Sequence, residues 1–197
     1  MKEEKKFSLK EEYKKSWKYL KESKNFIYAI IAIFLVFVLI GFFYPAPDSL
    51  AEQILRFIEE LLEKTQGMSH GNLITFIFFN NLQSSFYGMI FGVLFGIFPI
   101  IAVIANGYLL GFVTSISVEN TGFLILWRLL PHGIFELPAI FISLGLGVKF
   151  GTFILQKRKL ESFKEYFWNS LRTFFLIVIP LLIIAGIIEG SLIFLLG

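Results

Sequence analysis

The residues with the clearest chemical potential are Arg128, His132 and Glu136, which lie inside a long apolar segment. On one continuous helix they are spaced i, i+4 and i+8, so they share a face. Ionisable groups inside a membrane are costly and usually mark a site or a structural polar core. Pro131 has no N–H and clashes with the preceding turn, so we expect a kink or a break there. A break would put His132 at a new helix start, where Glu136 could accept hydrogen bonds from free N–H groups.

Two interpretations of this motif involve no substrate. In the first, the motif forms a structural polar network with Asn80, Asn81 and Asn106, whose amides both donate and accept hydrogen bonds. In the second, His132 and Glu136 are the candidate ligands of a metal ion, because a histidine and a glutamate at i, i+4 can face one ion. These two ligands are too few for a closed site, so the second interpretation needs further ligands or a second copy of the chain.

Two other interpretations involve a substrate. A broken span near the middle of the bilayer can bind a substrate or relay a proton, either in a transporter or in a permease subunit driven by a separate ATPase. The ATPase would have to be separate because the chain has no P-loop. Intramembrane hydrolysis would need Glu136 to activate a water together with a metal or a second carboxylate, for which Glu189 is the other deep candidate. The sequence favours a protein that is not an enzyme and holds no cofactor.

The composition is that of a protein with several membrane spans. The chain of 197 residues is 56% hydrophobic and 17% charged, with a mean hydropathy of +0.73. Several uncharged runs reach the ~20 residues that cross a bilayer. The absence of cysteine excludes disulfides, thiolate metal sites and a cysteine nucleophile. No Ser-His-Asp pattern and no nucleic-acid-binding signature occurs, so we expect no nucleic-acid partner.

The charges are segregated along the chain and predict its orientation. Nine lysines lie between Lys2 and Lys24, and six basic residues lie between Lys149 and Arg172. Residues 48–64 carry five acidic and two basic side chains. By the positive-inside rule the two basic regions are cytoplasmic and the acidic segment is external.

These loops require an odd number of crossings between Lys64 and Lys149, and three crossings fit the length. We place the turn between the second and third spans at Pro99. The expected fold class is therefore an all-α polytopic membrane bundle of about five spans with a kinked or broken fourth span. The N-terminus is cytoplasmic and the C-terminus extracytoplasmic. The predicted spans are residues 26–44, 72–98, 101–118, 121–148 and 173–196, forming a single membrane domain (26–197) after a cytoplasmic segment (1–25).

Three amphipathic segments flank the spans. In residues 1–25 the side chains of Leu9, Tyr13, Trp17 and Leu20 recur at helical spacing among lysines. This pattern fits an interfacial helix whose lysines face anionic membrane lipid, and equally a solvated helix. An external helix at 49–66 and a cytoplasmic helix at 157–171 have similar apolar faces, and the external one could bind the bundle or a protein partner.

Glycines recur at four-residue spacing in the apolar segments. Gly88, Gly92 and Gly96 form a GxxxGxxxG strip, and Gly107 and Gly111 repeat the spacing. Small residues at this spacing let helix backbones approach closely inside a membrane. We therefore expect these positions to be helix-packing sites. We also expect a homo-oligomer, with a dimer favoured.

Four motifs together resemble the stage II sporulation protein M family. They are Asn80/Asn81, Phe86-x-Gly88-x3-Gly92, Asn106-Gly-Tyr-Leu-Leu-Gly111 and Pro131-His-Gly-x-x-Glu-Leu-Pro138. The resemblance covers roughly residues 15–195. It implies a small multi-helix membrane protein, which in endospore formers anchors peptidoglycan-degrading partners in a membrane complex during engulfment. Members also occur in bacteria and archaea that never sporulate. The resemblance therefore implies a scaffold or assembly component with protein partners at the extracytoplasmic face.

Overall fold

The structure is a computed structural model that describes residues 8–44, 46–122 and 126–196, without the side chains of residues 121, 126–132 and 196. The described part of the chain is helical and contains no strand, which confirms the all-α prediction there. Its helices are α1 (Leu9–Glu22), α2 (Lys24–Phe43), α3 (Asp48–Thr65), α4 (His70–Ile90), α5 (Ile97–Thr121), α6 (Leu126–Gly151), α7 (Lys159–Thr173) and α8 (Ile179–Leu196). A π-helical turn, Phe174–Val178, joins α7 to α8.

Four helical segments are long and apolar enough to cross a membrane, which makes the chain a multi-pass membrane protein. Within the described residues they are Lys24–Phe43, Ile97–Asn120, Gly133–Leu155 and Lys159–Leu195. The predicted second span corresponds to α4, which is not among them. Its asparagine, glutamine and serine side chains at residues 80–85 lower its hydropathy.

The sequence predicted the turn between α4 and α5 at Pro99, and this prediction is wrong. α4 ends at Ile90, a 3-10 turn follows, and the chain reverses at residues 94–96. Phe95 and Gly96 both have positive φ, 58° and 71°. Glycine adopts this conformation without a steric penalty, so Gly96 favours the reversal at this point. Pro99 lies in the first turn of α5, where its missing N–H would have no helical partner anyway.

α6 continues through its prolines. It is helical from Leu126 to Gly151, so the expected new helix start at His132 is absent from this structure. Residues 123–125, which the predicted fourth span included, lie outside the described part of the chain.

α2 and α5 run parallel and pack through glycine. A Cβ on Gly107 would lie 2.7 Å from the carbonyl oxygen of Phe34, and one on Gly111 would overlap the carbonyl oxygen of Val38. Because both helices advance by four residues between these contacts, they run in the same direction. The missing side chains allow the close approach.

The glycine strip on α4 and its following turn packs against α6. Gly88 meets Leu144, Gly92 meets the backbone of Gly147, and Gly96 lies 3.3 Å, measured from a Cβ position, from Val148. The two helices therefore also run parallel. α6 contacts α2 and α8 as well, so it lies at the centre of the bundle.

α8 runs antiparallel to α4. A Cβ on Gly190 would lie 2.9 Å from the backbone nitrogen of Ile74, and the rings of Phe86 and Phe174 are 5.4 Å apart. Contacts near both ends of α4 therefore hold α8 and the π-helical turn before it alongside α4. This packing determines which polar side chains of α6 and α8 can meet.

Candidate functional site

The most distinctive polar contact in the bundle joins Glu136 of α6 to Glu189 of α8. Their side chains are hydrogen-bonded to each other, and both are largely withdrawn from the surface. An ionised carboxylate only accepts hydrogen bonds, so a hydrogen bond between two carboxyl groups forms only when one of them carries a proton. The other oxygen of Glu189, Oε2, is buried and has no hydrogen-bond partner among the described residues.

Helical periodicity brings the two carboxyl groups to the same interface. On α6, Glu136 precedes the fully buried Ala139 and Ser143 by one and two turns. On α8, Glu189 follows the fully buried Leu182 and Ala185 at i+7 and i+4. Each glutamate therefore continues a buried stripe, which places the two carboxyl groups at the interface between α6 and α8.

The predicted partners of Glu136 are distributed differently. Arg128 and His132 belong to α6, but their side chains lie outside the described residues, so a shared network remains a prediction. Asn80 and Asn106 are exposed, and the Asn106 amide donates to the carbonyl of Ala102 one turn earlier, at 2.8 Å. Asn106 thus satisfies its amide within its own helix.

Asn81 is half-buried and lies one turn before Ser85 on α4. Ser143 donates a hydrogen bond of 2.6 Å to the Ser85 carbonyl, so this face of α4 is turned toward α6. Asn81 therefore lies on the side of α4 that packs against α6. Among the described side chains no group of three or more histidine or acidic residues could hold a metal ion. The metal interpretation remains a prediction that depends on His132.

The sequence analysis named Glu189 only as a second carboxylate for hydrolysis. The available signal was its position in the buried stripe of the last span. An acid in such a stripe requires a partner on a facing helix.

A second polar cluster lies at the end of the bundle where α1 meets α6 and α7. Lys149 is buried, its Nζ donates to the Ser23 hydroxyl at 3.1 Å, and it lies 3.8 Å from the ring centre of Tyr19. The Tyr19 hydroxyl is 3.3 Å from the Ser170 hydroxyl. Burial raises the pKa of Tyr19 above its ordinary value, so the phenol stays neutral at physiological pH. These contacts hold α1 against α6 and α7.

An ion pair supports the same contact. Glu12 of α1 pairs with Arg172 of α7 and accepts a hydrogen bond from Lys15 at 2.6 Å. The hydrogen bond from Lys15, followed by the charge of Arg172, lowers the pKa of Glu12. Glu12 therefore remains ionised at neutral pH and keeps the pair intact.

A surface of a different kind surrounds α3. This 18-residue helix has no buried residue. Its side chains at Leu50, Ile54 and Phe57 face α2 and α5 across an apolar groove of about 510 Å³. Leu55 and Leu62 point away from the groove-facing side and are 43% and 64% exposed.

Comparison with known proteins identifies the family and no solved relative. The model of the family Stage II sporulation protein M matches residues 30–192 of this chain. An uncharacterised protein of Methanocaldococcus jannaschii is 29% identical over 176 residues, which cover 86% of this chain and 78% of the relative. A second uncharacterised protein of that organism is 36% identical over 115 residues, covering 56% of this chain and 65% of the relative. No solved structure matches.

Proposed function

Because the chain belongs to the stage II sporulation protein M family, we propose that it is a membrane scaffold that holds partner proteins at the extracytoplasmic face. The observation that carries this proposal is α3, an amphipathic helix without a single buried residue. Burying a leucine side chain contributes roughly 1.5–3 kcal/mol. Exposed Leu55 and Leu62 therefore offer binding energy that the single chain leaves unused.

The proposed topology has five crossings, with α4 as the one that composition alone does not identify. Support comes from the antiparallel pairing of α4 with α8, which extends to a 2.9 Å contact between His70 Nε2 and the Ser191 hydroxyl. A helix that accompanies a span over this length traverses the same thickness of membrane. With the basic N-terminal segment cytoplasmic, α3 is then external, as its acidic charge also favours.

The test is site-specific photocrosslinking in native membranes. A photoreactive amino acid at Leu55 or Leu62 should capture discrete partner proteins, such as the cell-wall remodelling factors that the family implies. The same group at Leu35, an exposed α2 position, serves as the control for lipid-facing sites. Identical products from the α3 and α2 positions, or none from α3, would contradict the scaffold.

A function in transport is the second candidate, and the Glu136–Glu189 contact favours it. Two carboxyl groups that share a proton within a membrane can exchange that proton when the interface opens. Purified protein in vesicles with an imposed pH gradient should then pass protons, and Glu189→Gln should abolish the flux. A permease subunit would instead co-purify with an ATPase. Vesicles that stay proton-tight together with membranes that yield no ATPase would exclude this candidate.

A further inference from the structure

The starting observation is which face of α1 is docked against the protein. The residues that contact α7 and α6 are Glu12, Tyr19 and Ser23, and Ser16 is buried on the same face. This docked face is polar or small, apart from the tyrosine ring. Of the apolar stripe, Leu9, Tyr13 and Trp17 face outward, whereas Leu20 is half-buried.

The outward face combines aromatic and basic side chains. Leu9, Tyr13 and Trp17 are 55%, 45% and 55% exposed and follow each other at i, i+4 and i+8. Beside them runs a groove of about 450 Å³. Its lining consists of Glu11, Lys14, Lys15, Trp17, Lys18 and Lys21. Lys15 pairs with Glu12 and Lys18 lies 3.9 Å from Glu22, both as ion pairs within α1. Lys14, Lys18 and Lys21 are exposed around the indole.

We infer that this face of α1 is a preformed binding site for the headgroups of anionic phospholipids. Charge complementarity selects the occupant, since ammonium groups attract phosphate and each basic side chain at a membrane surface contributes to binding an anionic lipid. Trp and Tyr side chains favour headgroup depth because the ring is apolar and its polar atom can remain hydrated.

The short connection between α1 and the span α2 keeps this face near the end of the span. Ser23 is the one residue between α1 and the span α2, and it also receives the hydrogen bond from Lys149. α1 therefore cannot move away from the membrane surface without breaking its contacts with α6 and α7. The docking fixes the α1 backbone that carries the lysines before any lipid binds, which lowers the entropic cost of binding. This inference does not depend on α3 or on the scaffold.

The experiment measures lipid selectivity of the full chain in mixed bilayers. Spin-labelled phosphatidylglycerol and phosphatidylcholine are compared at the protein surface by electron paramagnetic resonance. The triple variant Lys14→Gln/Lys18→Gln/Lys21→Gln should lower the relative association constant for phosphatidylglycerol by about fivefold or more. Raising the salt concentration should weaken the selectivity of the parent protein toward that of the variant.

The matched control is Lys157→Gln/Lys159→Gln/Lys164→Gln, which removes the same charge from exposed lysines just before α7 and within its first two turns. It should change the selectivity much less. Lys14→Arg/Lys18→Arg/Lys21→Arg should keep the selectivity, and thermal unfolding in detergent should show that every variant is folded. Tyr19→Ala keeps every α1 lysine but removes the docking contacts with Lys149 and Ser170, so it should lower the selectivity as well. Equal losses in the two glutamine triples, or an unchanged Tyr19→Ala protein, would overturn the preformed site.

Discussion

At the scale of single residues, the contact between the carboxyl groups of Glu136 and Glu189 offers the most chemistry. A buried acid without a partner is costly, whereas two acids that share a proton satisfy each other. The Glu189 carboxyl group is nevertheless not fully hydrogen-bonded, because its buried Oε2 has no partner among the described residues. Unpaired buried polar atoms are uncommon in folded proteins, so this position is a candidate for a functional role.

Substitutions at Glu136 should separate the hydrogen bond from the proton. Glu136→Gln keeps the volume and supplies an amide donor to Glu189, so stability should change by less than about 1 kcal/mol. Glu136→Ala leaves Glu189 buried without a partner and should cost about 1–3 kcal/mol. Thermal unfolding in detergent measures both, with exposed Glu119→Ala as the control. Equal stability of the Gln and Ala variants would show that the contact contributes nothing.

At the scale of helices, close approach through glycine determines the pairing of the bundle. The parallel pairs α2–α5 and α4–α6 and the antiparallel pair α4–α8 each include glycines whose Cβ would meet backbone atoms of the partner helix. Inside a membrane, tight van der Waals packing supplies the association energy that water supplies elsewhere. A side chain at these positions should separate the helices.

Gly92→Leu should therefore lower the unfolding temperature in detergent. The new side chain would overlap the backbone of Gly147, which cannot move without shifting α6. Overpacking of this kind typically costs about 1–3 kcal/mol or more. Gly71→Leu is the matched control on α4, since nothing lies within 4 Å of its Cβ position. If the two variants unfold at the same temperature, the strip does not support the packing.

At the scale of the whole molecule, the described helices form a bundle with two unlike ends. One end carries α1 and α7, joined by Tyr19, Ser170, Glu12 and Arg172. Near the other end lies α3, whose side chains line an open apolar groove. In the proposed orientation, α1 and α7 lie on the cytoplasmic side and α3 lies on the external side.

The proposed orientation is tested by reporter fusions. A reporter near residue 60 or after Gly197 should be active on the external side, and one after residue 160 should be active in the cytoplasm. The reason is that basic loops resist translocation while the acidic α3 does not. A cytoplasmic signal near residue 60 would reverse the arrangement and move α3 to the cytoplasmic side.

The sequence by itself determined the membrane class, the helical elements and the family. Hydropathy, helix length and the motif around Glu136 are local properties that a linear chain displays directly. The turn near Pro99 was misplaced because proline fits both a turn and the first turn of a helix, whereas the left-handed backbone at Gly96 is visible only in three dimensions.

Only the tertiary structure decided which polar groups meet. Glu136 pairs with Glu189 because α6 and α8 lie side by side, and the spacing along either helix carries no information about its neighbour. Asn106 was expected at the same site, yet its amide bonds within α5. The apolar stripe of α1 could be predicted from the sequence, but the direction in which it faces could not. That direction depends on Tyr19 and Glu12 meeting residues of α7 that are distant in the chain.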